Sequence, residues 1–207
     1  MNPTTQNLLM GAAGANRKSS FIAVAHASSP YITAYPWSSS GFGTKYADPA
    51  TLPATIGGIG VAFSPDNNSI AVAHYNSPYI TAYPWSSSGF GTKYADPATL
   101  PTSYANGVAF SPDNNSIAVA HEFSPYITAY PWSSSGFGTK YADPATLPTG
   151  DGIGVAFSSD NSSIAVAHRS SPYISVYPWL LSGFGTKYAD PATLPTGIGF
   201  DVSFSPA

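Results

Sequence analysis

The residues best suited to hold a metal ion or move a proton are four histidines, His26, His74, His121 and His168. Imidazole is a common metal ligand and titrates near neutrality. Each stands alone in its stretch of chain, with no second His and no Cys nearby. A ligand set would need all the rings to meet at one point, so a structural or capping role is expected and no metal. Asp48, Asp96, Asp143 and Asp190 all occur within the same words, KYADPATLP. Glycoside hydrolysis needs two carboxyls about 5–10 Å apart in unlike environments. Copies of one Asp give equivalent environments, so these belong to turns. Asn67, Asn114 and Asn161 open N-x-S triplets, which are glycosylation acceptors only in a eukaryotic secretory route, and Asn is favoured in a turn anyway. The sequence has no Cys, no Gly-x-Ser-x-Gly, no phosphate loop and no dinucleotide fingerprint. The expectation is a chain that is not an enzyme and carries no cofactor.

These residues recur because the chain repeats. Trp37, Trp85, Trp132 and Trp179 keep the spacing of the histidines. The words SPYITAYPWSSSGFGTKYADPATLP are identical at 29–53, 77–101 and 124–148, and a fourth copy at 171–195 differs only at Ser175, Val176, Leu180 and Leu181. One unit predicts four strands. Strand a is 61–63, followed by the turn SPDNNS, rich in turn formers. Strand b is 70–74, strand c the β-branched and aromatic 79–85, and strand d the weaker 91–95. Strand b is apolar at every position from Ile70 to Ala73, which fits a sheet covered on both faces. Frequent Gly and Pro argue against helices. Short antiparallel strands at this period predict an all-β propeller of four-stranded antiparallel blades, four blades per chain.

The unit resembles a WD40 repeat. VAFSPDN at 61–67 and 108–114, and VAFSSDN at 155–161, match that family's first strand and turn. Tyr83-Pro84 stands where the family has Trp-Asp, and no Gly-His precedes strand a, so the family's buried hydrogen-bond network is expected to be absent. The repeats also resemble those of virion or tail proteins of environmental phages. The WD40 resemblance implies that the b–c and d–a loops share one face. The differences between copies fall on those loops, at Tyr75, Tyr104, Glu122, Phe123 and Arg169, so these five are the expected ligand or partner face. The aromatic and Ser/Gly-rich PWSSSGFG is a second candidate surface, able to stack on sugars, or else a packed Trp and Phe beside a c–d turn.

The chain is offset. It begins with strands b-c-d at 21–53, continues through units 57–101, 106–148 and 152–195, and ends on a lone strand at 199–204, with an N-terminal arm at 1–20. A terminal strand a supplied by the C-terminus would close either a four-bladed monomer or an eight-bladed ring from two chains, removing an unpaired edge. In the fourth unit Leu180 and Leu181 replace serines, and burial by the N-terminal residues Leu8, Leu9 and Met10 or by another chain is expected, marking an assembly contact.

Only 8% of residues are charged and the net charge is -3, too weak a field to hold nucleic acid. No apolar run is long enough for a membrane helix, and the N-terminus has no basic residues ahead of its short apolar stretch, so neither membrane insertion nor a signal peptide is expected. The composition favours an extracellular or virion-surface setting. The expected function is a non-catalytic binding or structural module, a phage surface, adhesion or assembly protein, or alternatively a lectin-like propeller with repeated carbohydrate sites. The expected partners are further copies of the chain, neighbouring particle proteins or a glycan.

Overall fold

The computed structural model describes residues 20–53 and 56–206. It is all-β, with four antiparallel sheets following one another along the chain. Blade 1 holds β1 (Ser20–Ala25), β2 (Ile32–Ser38) and β3 (Gly41–Phe42). Blade 2 holds β4 (Gly58–Phe63), β5 (Ser69–His74), β6 (Ile80–Ser86) and β7 (Gly89–Phe90). Blade 3 holds β8 (Ala105–Phe110), β9 (Ser116–His121), β10 (Ile127–Ser133) and β11 (Gly136–Phe137). Blade 4 holds β12 (Gly152–Phe157), β13 (Ser163–His168), β14 (Ile174–Leu180) and β15 (Gly183–Phe184). No helix occurs among the described residues. The propeller class and the blade count are those the repeat predicts.

Each blade has a bulky face and a small-residue face. In blade 2 the register sets Ile70 against Tyr83 and Val72 against Thr81, while Ala71 lies against Ala82 and Ala73 against Ile80. Because side chains alternate along a strand, Ile70, Val72, Tyr83 and Trp85 project one way and pack with Ile32 and Ala34 of blade 1. Ala71, Ala73, Ile80 and Ala82 project the other way and receive Val108, Phe110, Tyr130 and Trp132 of blade 3. The same scheme joins blades 3 and 4. Bulk on one side meets a trough on the other, so strand b is buried on both faces.

Aromatic rings lock the rim of every seam. Tyr46 of blade 1 meets Trp85 of blade 2 edge-on at 5.0 Å, Tyr94 meets Trp132 at 5.2 Å, and Tyr141 meets Trp179 at 5.3 Å. A hydroxyl bond crosses each seam as well: Tyr83, Tyr130 and Tyr177 donate to the carbonyls of Thr51, Thr99 and Thr146 at 2.7, 2.7 and 2.9 Å. Those carbonyls lie in the DPATLP stretch of the preceding blade, which explains why that stretch recurs unchanged.

Two local features depart from expectation. Strand d is the two-residue segment before 91–95 rather than 91–95 itself. Pro84 in strand c has no N–H to offer an outer partner. Beyond Trp85 and Phe90 only isolated bonds hold the outer segment, Gly91 N–H to Pro84 O at 2.8 Å and Tyr94 N–H to Ala82 O at 3.0 Å. At the C-terminus, residues 199–204 run along the inner side of β12 with no sheet partner among the described residues. Correspondingly, blade 1 has three strands among the described residues, and none of these pairs with the inner edge of β1. The stretch 11–15 and residues Leu8, Leu9 and Met10, expected near that edge, lie outside the described residues.

Truncating a seam Trp removes both the ring contacts and the bulk that fills the trough. Trp132→Ala is expected to cost about 3–5 kcal/mol of unfolding free energy, read from urea denaturation. A loss under about 1 kcal/mol would mean that the seams do not carry the fold.

Candidate functional site

The four histidines end strand b, and each hydrogen-bonds to strand c of its own blade. Nε2 of His26, His74 and His121 lies 2.9, 3.0 and 2.9 Å from the hydroxyls of Thr33, Thr81 and Thr128, and that of His168 lies 3.1 Å from Ser175. In blade 2 Nδ1–H donates to Asn76 O at 2.8 Å, which leaves Nε2 to accept from Thr81. Ser175 thus does the work of Thr in the one blade whose strand c departs from ITAYPW. Burial pushes His74 and His121 down to about 4 and lowers His168 as well, against the raising effect of nearby backbone carbonyls. The rings are latches in separate blades, and no group of three or more His, Cys, Asp or Glu able to hold a metal occurs among the described residues.

The recurrent aspartates are tied to turns. Asp48, Asp96, Asp143 and Asp190 pair with Lys45, Lys93, Lys140 and Lys187, three residues earlier. In the a–b turn Asp66 accepts from Ser64 Oγ at 2.6 Å and from Asn68 N–H at 3.0 Å, and Asn67 takes the left-handed conformation at φ 58°. Asn114 and Asn161 repeat it at 62° and 59°. Short polar side chains tolerate that region best, so the turn accounts for the N-x-S triplets. The Trp and Phe of PWSSSGFG pack against each other within each blade, at 4.9 Å for Trp85 and Phe90.

The variable loops meet on one face. Tyr75 and Tyr104 stack edge-on at 5.6 Å, and Tyr104 lies 6.4 Å from Phe123. Each b–c loop is bonded to the d–a loop that enters its blade: Glu122 N–H donates to Tyr104 O at 3.1 Å and Arg169 N–H to Asp151 O at 3.1 Å. Arg169 Nε also pairs with Asp151 Oδ2 at 3.3 Å. Tyr75, Tyr104 and Phe123 form a single exposed row. Leu180 and Leu181 are exposed among the described residues, Leu181 almost completely at 99%, and with Trp179 they border a recess between blades 3 and 4.

Asn106 and Asp201, unmarked by the repeat, lie at the axis. The inner strands pack so closely that a Cβ on Gly107 would sit 2.6 Å from Ile153 O, and one on Gly154 would sit 2.8 Å from Asp201 Oδ1. Glycine is what lets these backbones approach. Between them lies a cleft of about 450 Å³, lined by Ile59, Gly60 and Val61, their counterparts in blades 3 and 4, and the C-terminal Phe200 and Asp201. It sits at the end of the inner strands where the d–a loops enter, the end that carries the aromatic row. Here the repeat breaks. The position held by Ile59 and Ile153 is Asn106 in blade 3, and the position held by Gly60, Gly107 and Gly154 is Asp201 in the C-terminal segment. Asn106 Nδ2 donates to Gly152 O at 2.9 Å, across the seam. The larger recess, about 890 Å³, lies beside Trp37 on blade 1, the unfinished end of the arc, away from this cleft.

No family model and no curated protein matches the sequence. Solved structures do match in shape. Two proteins, each named a "putative 6-phosphogluconolactonase", come from Bacteroides uniformis and Bacteroides fragilis; they are 16% and 10% identical with TM-scores of 0.60 and 0.62. The match covers 87% and 82% of this chain and 56% and 53% of theirs. A protein from Lactobacillus plantarum is 17% identical at a TM-score of 0.62, over 81% of this chain and 50% of that one. The chain therefore spans about half the length of the structures it matches, and at these identities the likeness is one of fold. Of the expected resemblance to WD40 and phage repeats, the comparisons carry the propeller alone.

Two expectations are corrected by this finding. The chain was expected not to be an enzyme, and to be a non-catalytic phage surface or assembly module or a lectin. Its fold is shared with proteins bearing a hydrolase name, so the propeller gives no ground for excluding catalysis. The exclusion rested on fourfold equivalence, and the axis is where that equivalence fails.

The latches make a pH test. A His held at about 4 in the fold and free to titrate at 6.5 when unfolded binds more protons unfolded between those values. Its stabilising contribution is complete above pH 6.5 and is lost as pH falls toward 4, on the order of 3 kcal/mol for each of His74 and His121. Urea stability should fall through that window, and His121→Gln should flatten the slope there. An unchanged slope in the variant would show that the latch does not titrate.

Proposed function

We propose that the axial cleft is a hydrolytic site for a small lactone, with Asp201 as general base and the Asn106 amide as the donor that polarises the ester carbonyl. The observation that carries this reading is the double break in the repeat: the cleft is otherwise walled by Gly, Ile, Val and Phe, and its two polar side chains stand where the other units have none. A recess with a few convergent polar side chains is the usual form of a small-molecule site. The hydrolase name borne by two fold neighbours supports the reaction class.

The step balances without a cofactor. Water adds to the lactone carbonyl carbon while Asp201 takes its proton. Asn106 Nδ2 carries a second N–H beyond the one given to Gly152, and that N–H serves the oxygen on which charge develops. The ring C–O bond then breaks, the alkoxide takes the proton back from Asp201, and the product is the open hydroxy acid. The cleft favours an uncharged lactone over a phosphorylated one. No described Lys or Arg lines it, and the described cations Lys45, Lys93, Lys140, Lys187 and Arg169 are all paired with aspartates elsewhere. A phosphate there would face the Asp201 carboxylate with no counter-charge.

Acid release from glucono-δ-lactone, followed with a pH indicator against the spontaneous rate, tests the reading. Turnover above background is expected, with Asp201→Asn lowering it by about 100-fold or more. Background rates for glucono-δ-lactone and for its phosphorylated form alike would overturn it.

A further inference from the structure

We propose that a second copy of this chain docks its blade 4 and C-terminal strand onto blade 1 of the first, so that two four-bladed arcs close one eight-bladed ring head to tail. The two ends of the arc are the two halves of a seam. Blade 1 carries a bulky face that no described residue covers. Trp37 is 44% exposed, where its counterparts Trp85, Trp132 and Trp179 are 3%, 5% and 7% exposed. Val24 and Phe42 are exposed beside it. Blade 4 carries the trough, with Ile174 and Val176 only part-buried, whereas Ile80 and Ala82 are sealed, and with Tyr188 at 49% exposure.

The internal seams supply the geometry. By the repeat, Tyr188 of one copy meets Trp37 of the next as Tyr141 meets Trp179, and the Tyr35 hydroxyl reaches the Thr193 carbonyl as Tyr177 reaches Thr146.

The terminal strand is already in position. Gly199 N–H donates to His168 O at 3.1 Å, as Gly58 N–H donates to His26 O at 3.0 Å where strand a of blade 2 begins. The segment GFDVSF therefore stands where the first strand of a next blade would, and the first blade of a second copy shows no such strand among the described residues. Strand a pairs Gly60 with Ala73, Val61 with Val72 and Phe63 with Ile70. The same register sets Asp201 against Ala25, Val202 against Val24 and Phe204 against Ile22 of the second copy. Phe204 then meets Trp37 of that copy as Phe63 meets Trp85 at 5.2 Å.

Closure at two copies follows from the neighbours. They share the curvature of this arc at TM-scores of 0.60 to 0.62, and this chain accounts for 50–56% of their length. Two arcs supply one such fold.

The chain has no Cys, which makes the register directly testable. The whole chain is examined by size exclusion with light scattering, and Val24→Cys/Val202→Cys and Ala23→Cys/Val202→Cys variants are oxidised and run without reductant. A dimer mass is expected, with a covalent dimer from the first variant and none from the second, whose cysteines face opposite sides of the sheet. Phe204→Asp is expected to shift the mass toward the monomer. A monomer across tens of micromolar, a bond within a single chain, or an open ladder of linked copies overturns the proposal. None of these readouts depends on lactone turnover, so the ring and the hydrolytic site stand or fall separately.

Discussion

Everything in this molecule depends on one repeated fit, a bulky face of Ile, Val, Tyr and Trp set into a trough of Ala and Ile on the blade before. A single four-stranded sheet this small has no core of its own. Its strand b can be apolar on both sides only because both sides are covered, and each cover is another copy of the same sheet. Burial of Ile70, Val72, Tyr83 and Trp85 at one seam is worth roughly 2–3 kcal/mol per side chain. The Tyr–Trp edge contact and the tyrosine hydroxyl bond then fix the angle at which blades meet, because both need the YADPATLP stretch of the earlier blade at one distance.

That fit explains why the sequence was readable. The Ile-Ala-Val-Ala alternation stated both faces of strand b, and four copies stated the blade count. Strand c was legible from its β-branched and aromatic residues, strand d was not. GTKYA has the composition of a strand, but pairing needs a partner, and Pro84 withholds the N–H opposite it. The His–Thr latch was hidden for a similar reason. It joins side chains seven residues apart that meet only when β5 folds back on β6, a register the turn decides.

The axial site was illegible for a different reason. Repetition drew attention to what recurs, and so to residues that hold the blade together. Asn106 and Asp201 matter by not recurring, in strand a, where the neighbouring glycines look like spacers. Aligning the units on Phe63, Phe110, Phe157 and Phe204 exposes both departures at once, since the four lie at one position of the repeat. In the proposed reading of this near-symmetric chain, the exceptions carry the chemistry and the rule carries the packing.

The sameness of the seams has an evolutionary reading. Because any bulky face fits any trough, losing or duplicating one unit by recombination between identical repeats would leave every remaining contact as good as before. Local stability would barely register the event. Only the total arc would change, and with it whether the ends can meet. In the proposed ring such a chain would be buffered against almost every error of length except the one that breaks the circle, and unit number, invisible to each blade, would be policed by closure alone.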